Sequence, residues 1–261
     1  MSTLPPLARV PLLVLGLAAV LAWLSVEETL PWAHDEVKRH AVQGASAFRP
    51  RYPQSVSERP STSEIFALMS WRDRRLAAIC QAGLVEKFVD ALVWVILPVY
   101  LTAKGASLTE MGWIVGVYGF VWGASQLVTG RLSDHVGRFW PSVLGMWICG
   151  AGVALMPLGS GSLWWSASAA VAGLGMAMLY PNLSAAVADI AHPNWRASAI
   201  GIYRFWRDLG YGIGALGLGA AAALGGRIES AFWFVAVAML LSGAVLFHWG
   251  EETHPRLNPA T

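Results

Sequence analysis

Long apolar runs alternate with short polar connections along this chain. The runs cover 10–26, 76–101, 111–129, 141–158, 163–188, 197–224 and 230–249. A membrane-spanning helix needs about 20 predominantly apolar residues, so the pattern predicts about seven transmembrane helices. Pro98, Pro157 and Pro181 fall inside the runs and predict local kinks, which a helical bundle tolerates when neighbours satisfy the freed backbone groups. The first run is preceded by Arg9 and followed by Glu27 and Glu28 rather than by a small-residue cleavage site. It therefore reads as a retained helix, not a removed signal peptide. The stretch 29–75 breaks the pattern: it is polar, carries Pro31, Pro50, Pro53 and Pro60 and is rich in arginine, as expected of a long, partly disordered linker.

Composition agrees with a membrane protein: 56% of residues are hydrophobic and 13% charged, far from the averages of soluble domains. The net charge of +2 gives no reason to expect nucleic acid. Cys80 and Cys149 lie inside apolar runs without the spacing of a disulfide framework or a zinc site, so they are expected to pack, with no metal and no cofactor. Ser133, Asp134 and His135 are adjacent and cannot converge on one reacting atom; no enzyme is expected. Basic residues crowd into alternate connections, namely 29–75, the Arg131 and Arg138 turn, and the stretch around Arg196. The positive-inside rule places these in the cytoplasm. The expected location is the plasma membrane, a bacterial inner membrane, with the N-terminus outside and the C-terminus cytoplasmic.

An internal echo bears on architecture. Glu27-Glu28-Thr29-Leu30-Pro31 returns six predicted helices later as Glu251-Glu252-Thr253-His254-Pro255, and each copy ends an apolar run containing a tryptophan. Parallel repeats of this kind are a transporter design. The expected organisation is a single helix at 1–28 that ends a first half, a cytoplasmic linker at 29–75, a six-helix half at 76–250 and a cytoplasmic tail at 251–261.

Within "GRLSDHVGR", Gly130, Leu132, Ser133, Asp134, Gly137 and Arg138 resemble the loop signature of the major facilitator superfamily, which lies between the second and third helices of each six-helix half. His135 and Phe139 replace residues that are often basic there. Gly201, Gly210 and Gly214 keep the spacing of the family's glycine motif, although Ala215 stands where that motif has proline. The resemblance implies an all-α, six-helix transporter half preceded by one extra helix. It also implies that the loop is a gating latch whose aspartate contacts the opposite half, so Asp134 is expected to have no partner in this chain. Independently of any family, glycines suit so tight a turn, and a carboxylate such as Asp134 can cap a helix N-terminus.

Glu86, Lys87 and Asp90 lie near the middle of the predicted 76–101 span, where ionisable groups are costly and by default mark a substrate or proton pathway. Lys87 and Asp90, three apart, are expected to pair, with Glu86 pointing elsewhere; Asp90 is therefore the expected coupling carboxylate. A self-satisfied structural cluster is the alternative. Arg204, Arg207 and Asp208 form a second cluster, in which Arg204 and Asp208 are expected to pair and Arg207 to be the freer cation, available to an anionic substrate group, to one of the carboxylates at 86 and 90, or to a structural bridge between helices. Tyr180, Asn182, Tyr203, Trp206 and Tyr211 are candidate cavity lining. The expected function is transport of a small solute by a secondary transporter working by alternating access, with proton coupling. Its expected partners are the lipid bilayer and a separate N-terminal half or second copy. The alternative is a non-transporting membrane interaction protein derived from a transporter half.

Overall fold

The structure, a computed structural model, describes residues 60–254 and 257. The predicted span at 10–26, most of the 29–75 linker, the first Glu-Glu-Thr copy and the rest of the C-terminal tail lie outside the described residues. Among the described residues every regular element is helical.

Helix α1 (Thr62–Ala67) opens with a capping box in which the Glu64 amide donates to Ser61 Oγ (3.3 Å) and the Ser61 amide to Glu64 Oε2 (2.7 Å). Both ends of such a box satisfy amides that the first helical turn leaves orphaned. A π turn (Leu68–Arg72) follows, and Asp73 then accepts from the amides of Arg75 (2.8 Å) and Leu76 (3.2 Å) to start α2 (Arg74–Ala91). This corrects the expected linker, whose last residues are folded. The reason is burial: Ile65 and Met69 are enclosed, and Phe66 stacks on Trp206 at 5.9 Å.

Helix α2 runs through a second π segment (Leu92–Ile96) into α3 (Leu97–Ala103), so the predicted 76–101 span is one helical column. Pro98 has no amide hydrogen to return to the carbonyl four residues back, and the widened turn sits immediately before it. The remaining helices are α4 (Leu108–Val136), α5 (Phe139–Leu155, closed by a 3-10 turn over Met156–Leu158), α6 (Ser162–Ile190), α7 (Arg196–Gly225) and α8 (Glu229–Trp249). By length and composition α4, α5 with its closing turn, α6 and α8 can cross a membrane. The α2–α3 column and α7 occupy the other two predicted spans and carry the two charged clusters. The chain is an all-α integral membrane protein.

α2 packs chiefly on α7; α6 packs on α4 and α5; α8 closes against α5, α2 and α7. The α2–α7 crossing depends on glycine. A Cβ at Gly210 would collide with the Leu84 carbonyl, and one at Gly214 would crowd Phe88, so only hydrogens let the two backbones approach. Gly201 instead faces open space. Helix α4 buries only Ile114, Tyr118, Thr129 and Ser133, leaving most of its length uncovered.

The connections sort to two ends. At one end Arg75 meets Glu251, Arg138 meets Glu252 and Asp189, and Thr253 meets Asp189. At the other, Lys104 Nζ donates to Glu229 Oε1 at 2.9 Å, and that hydrogen bond raises the Lys104 ammonium above its ordinary range.

Candidate functional site

The 86–90 cluster is fully enclosed. Glu86 and Asp90 are 0% exposed and Lys87 2%. Lys87 Nζ donates to Asp90 Oδ2 at 2.6 Å, and Asp90 also accepts from Tyr118 Oη on α4 (3.1 Å, to Oδ1) and Tyr211 Oη on α7 (3.1 Å, to Oδ2). The ammonium lies 5.3 Å from the ring centroids of Tyr180 and Tyr211 and 6.0 Å from that of Trp122, so ring faces stabilise whatever charge the carboxylates do not.

Glu86 differs. Lys87 Nζ is 3.3 Å from its Oε1, at ion-pair distance, yet neither Glu86 oxygen has a hydrogen-bond partner among the described residues. This corrects the expectation that Glu86 points away from Lys87. The lysine sits between both carboxylates, and only Asp90 is locked by hydrogen bonds. Burying a carboxylate without such bonds costs several kcal/mol, which the Lys87 ammonium at ion-pair distance offsets in part.

The second cluster is also rearranged. Arg207, not Arg204, pairs with Asp208 (3.2 Å), and its guanidinium stacks 5.0 Å from the Tyr180 ring centroid on α6. Arg204 is exposed. The cause is the α6 neighbour: Tyr180 holds the Arg207 head beside its own chain neighbour, one residue on. Tyr180 thus touches both Lys87 and Arg207 and joins the two clusters. Of the other candidate lining residues, Tyr203 and Asn182 are buried and Trp206 donates to Ser70 Oγ at 2.9 Å.

At the basic end of the bundle, most of the loop signature is helical. Gly130, Leu132, Ser133 and Asp134 belong to α4, and the turn proper is Gly137 and Arg138. Gly137 adopts φ +95°, and a Cβ there would collide with the Glu252 carboxylate; the turn excludes side chains on both counts. Asp134 does not cap α5, contrary to expectation. Glu252 does, its carboxylate accepting from the amides of Arg138 (2.8 Å) and Phe139 (3.2 Å). An acid at a helix N-terminus satisfies orphaned amides and suits the dipole. Nor is Asp134 partnerless: it pairs with Arg138 at 2.9 Å while staying 60% exposed. Arg138 also donates to Ser133 Oγ and reaches Asp189 at 3.4 Å.

Sequence reading missed Tyr118, Trp122, Asp189 and Glu252. For Glu252 a signal existed, because the repeated Glu-Glu-Thr marks it, but its target lies more than a hundred residues away in sequence. Tyr118 carries no comparable mark; it is one aromatic in an apolar run.

The Major Facilitator Superfamily model matches residues 79–261. Efflux pump terJ of Aspergillus terreus (strain NIH 2624 / FGSC A1156) is 26% identical over 192 residues, 68% of this chain and 35% of that protein. The solved peptide transporter POT in complex with sulfate superposes with a TM-score of 0.61 at 24% identity, over 73% of this chain and 41% of that one. A mutant of POT in complex with alafosfalin gives 0.63 at 22% identity, over 78% and 44%. At such identities the structural likeness shows the fold. The chain spans about a third to under a half of the length of these relatives.

Proposed function

Because the chain belongs to the Major Facilitator Superfamily, we propose that its six-helix bundle works as one half of a secondary transporter that moves a small solute across the plasma membrane by alternating access, coupled to protons through Glu86. A second six-helix half, from another chain or a second copy, covers the exposed side of α4 and carries the other wall of the path. Solute sites of this architecture lie between halves near the midplane, and the Arg207 guanidinium, held against the Tyr180 ring, is the part of this half suited to an anionic group of the solute. The bacterial inner membrane is the proposed location, with the basic end of the bundle in the cytoplasm.

One observation carries the coupling reading: Glu86 is buried at mid-helix with no hydrogen bond among the described residues. Its protonation gives up the Lys87 ion pair but breaks no hydrogen bond among the described residues. Asp90, preferred on sequence spacing alone, differs, since its protonation weakens the acceptor that Lys87, Tyr118 and Tyr211 share.

The test is flux in proteoliposomes holding the chain with and without a co-expressed six-helix half, using small peptides and amphipathic organic solutes under an imposed pH gradient. Uphill uptake is expected only with both halves. If no combination moves solute while the chain still holds a membrane protein partner through purification, the non-transporting reading replaces this one.

A further inference from the structure

At the basic end of the bundle, an open cleft of ≈ 430 Å³ lies between the start of α2 and the end of α8. That size falls within the roughly 300–1,000 Å³ range of small-ligand pockets. Three arginines face two acids in it, a net charge of +1. Arg75 donates to Asp73 at 3.0 Å and to Glu251 at 3.2 Å, so both acids lining the cleft are engaged by this one guanidinium, and Asp73 also holds the first amides of α2. Arg72 and Arg74 line the same cleft, are exposed, and make no ion pair among the described residues. His248 adds a third nitrogen donor or acceptor to the wall.

We propose that this cleft binds the phosphate-bearing headgroup of an anionic phospholipid. Two exposed arginines that make no ion pair among the described residues present flat, multi-donor forks, the geometry that phosphate accepts in bidentate fashion. The surroundings select a lipid over a soluble phosphate. Trp249 lines the cleft at the last residue of a membrane-spanning helix and is 42% exposed, and Trp71, next to Arg72, is 62% exposed. Tryptophan collects at the headgroup level of a bilayer, and basic pockets at the ends of membrane helices on the cytoplasmic side suit anionic headgroups. The guanidiniums then take the phosphate while the indoles lie against the glycerol and the first methylenes.

The test compares the full chain with Arg72→Gln/Arg74→Gln. Thermal unfolding is followed in phosphatidylglycerol and in phosphatidylcholine nanodiscs, and retained lipid is counted by native mass spectrometry. Phosphatidylglycerol should raise the unfolding midpoint of the parent and stay bound, whereas the double variant should lose both effects and unfold with the parent in phosphatidylcholine. An unchanged phosphatidylglycerol shift in the variant overturns the proposal. So does equal destabilisation in both lipids, which makes the arginines structural. Arg131→Gln, a basic position at the same end but outside the cleft, should keep the shift; losing it there means diffuse attraction and no built site. Glycerol phosphate lacking acyl chains should leave the midpoint unmoved, and a matching shift would assign the cleft to a soluble anion instead.

Discussion

Glu86 and Asp90 are one helical turn apart on α2, and neighbours on other helices make them unequal. Tyr118 and Tyr211 reach Asp90 from α4 and α7, so Asp90 is locked by hydrogen bonds while Glu86 is held by its ion pair with Lys87 alone. In the chain assembled with its second half, Glu86→Gln should abolish uphill uptake yet leave downhill exchange, because the amide imitates the protonated acid. Asp90→Asn should lower both activities in proportion and reduce folded yield. Side-by-side uptake and exchange, normalised to protein in the membrane, decide between the two residues. Lys87→Met removes the ammonium that two buried carboxylates share; breaking a buried pair in this way should cost about 3–5 kcal/mol, read from denaturation in detergent micelles. The spacing of Glu86, Lys87 and Asp90 was enough to put them on one face. Which acid the lysine takes was not legible, because the deciding hydroxyls come from elsewhere in the chain.

Among elements, two contacts set how the helices meet. At the α2–α7 crossing, Gly210→Leu should destabilise the bundle by about 1–3 kcal/mol or more through overpacking, since even a methyl group meets the Leu84 carbonyl. Gly201→Ala, with open space around it, should be neutral or stabilising by up to about 1 kcal/mol. Thermal melts of the two variants test whether the glycine motif acts through packing at 210 and 214. At the basic end, Glu252→Ala removes the cap of α5 and should cost about 1 kcal/mol, with faster amide exchange at Arg138 and Phe139 as the specific sign. The order of the loop signature was legible, as was the need for glycine at 137. The capping residue was not, because a cap is defined by what folds onto the amides and here that residue follows α8, which packs on α5 but is far from it in sequence.

For the whole molecule, orientation is the first thing to check. Arg72, Arg74, Arg75, Arg131, Arg138 and Arg196 all lie in or beside the connections at one end, and Lys104 and Arg227 in those at the other. In intact cells a membrane-impermeant maleimide should label Ser160→Cys, in the turn before α6, and spare His135→Cys, in the last turn of α4. Cys80 and Cys149 are buried and give little background. Equal labelling of both sites would reverse or void the topology. Helix positions among the described residues were legible because a bilayer imposes a length rule residue by residue, and sidedness is the expectation of the charge rule that this labelling tests. The folded segment Thr62–Arg72 was not: its polar composition reads as linker, and it holds its shape by burying Ile65, Met69 and Phe66 against α7 and its neighbours.

The amino-acid sequence by itself determined the all-helical membrane class, the positions of the helices that fill the six predicted runs among the described residues, the family and the two charged clusters. Each of these follows from local period, local composition or an ordered motif. Tertiary structure decided which charges pair, which acid is left without hydrogen bonds, what caps α5 and where an arginine cleft opens. These depend on residues brought together from distant helices, and a burial cost or a hydrogen bond has no value until both partners are in place.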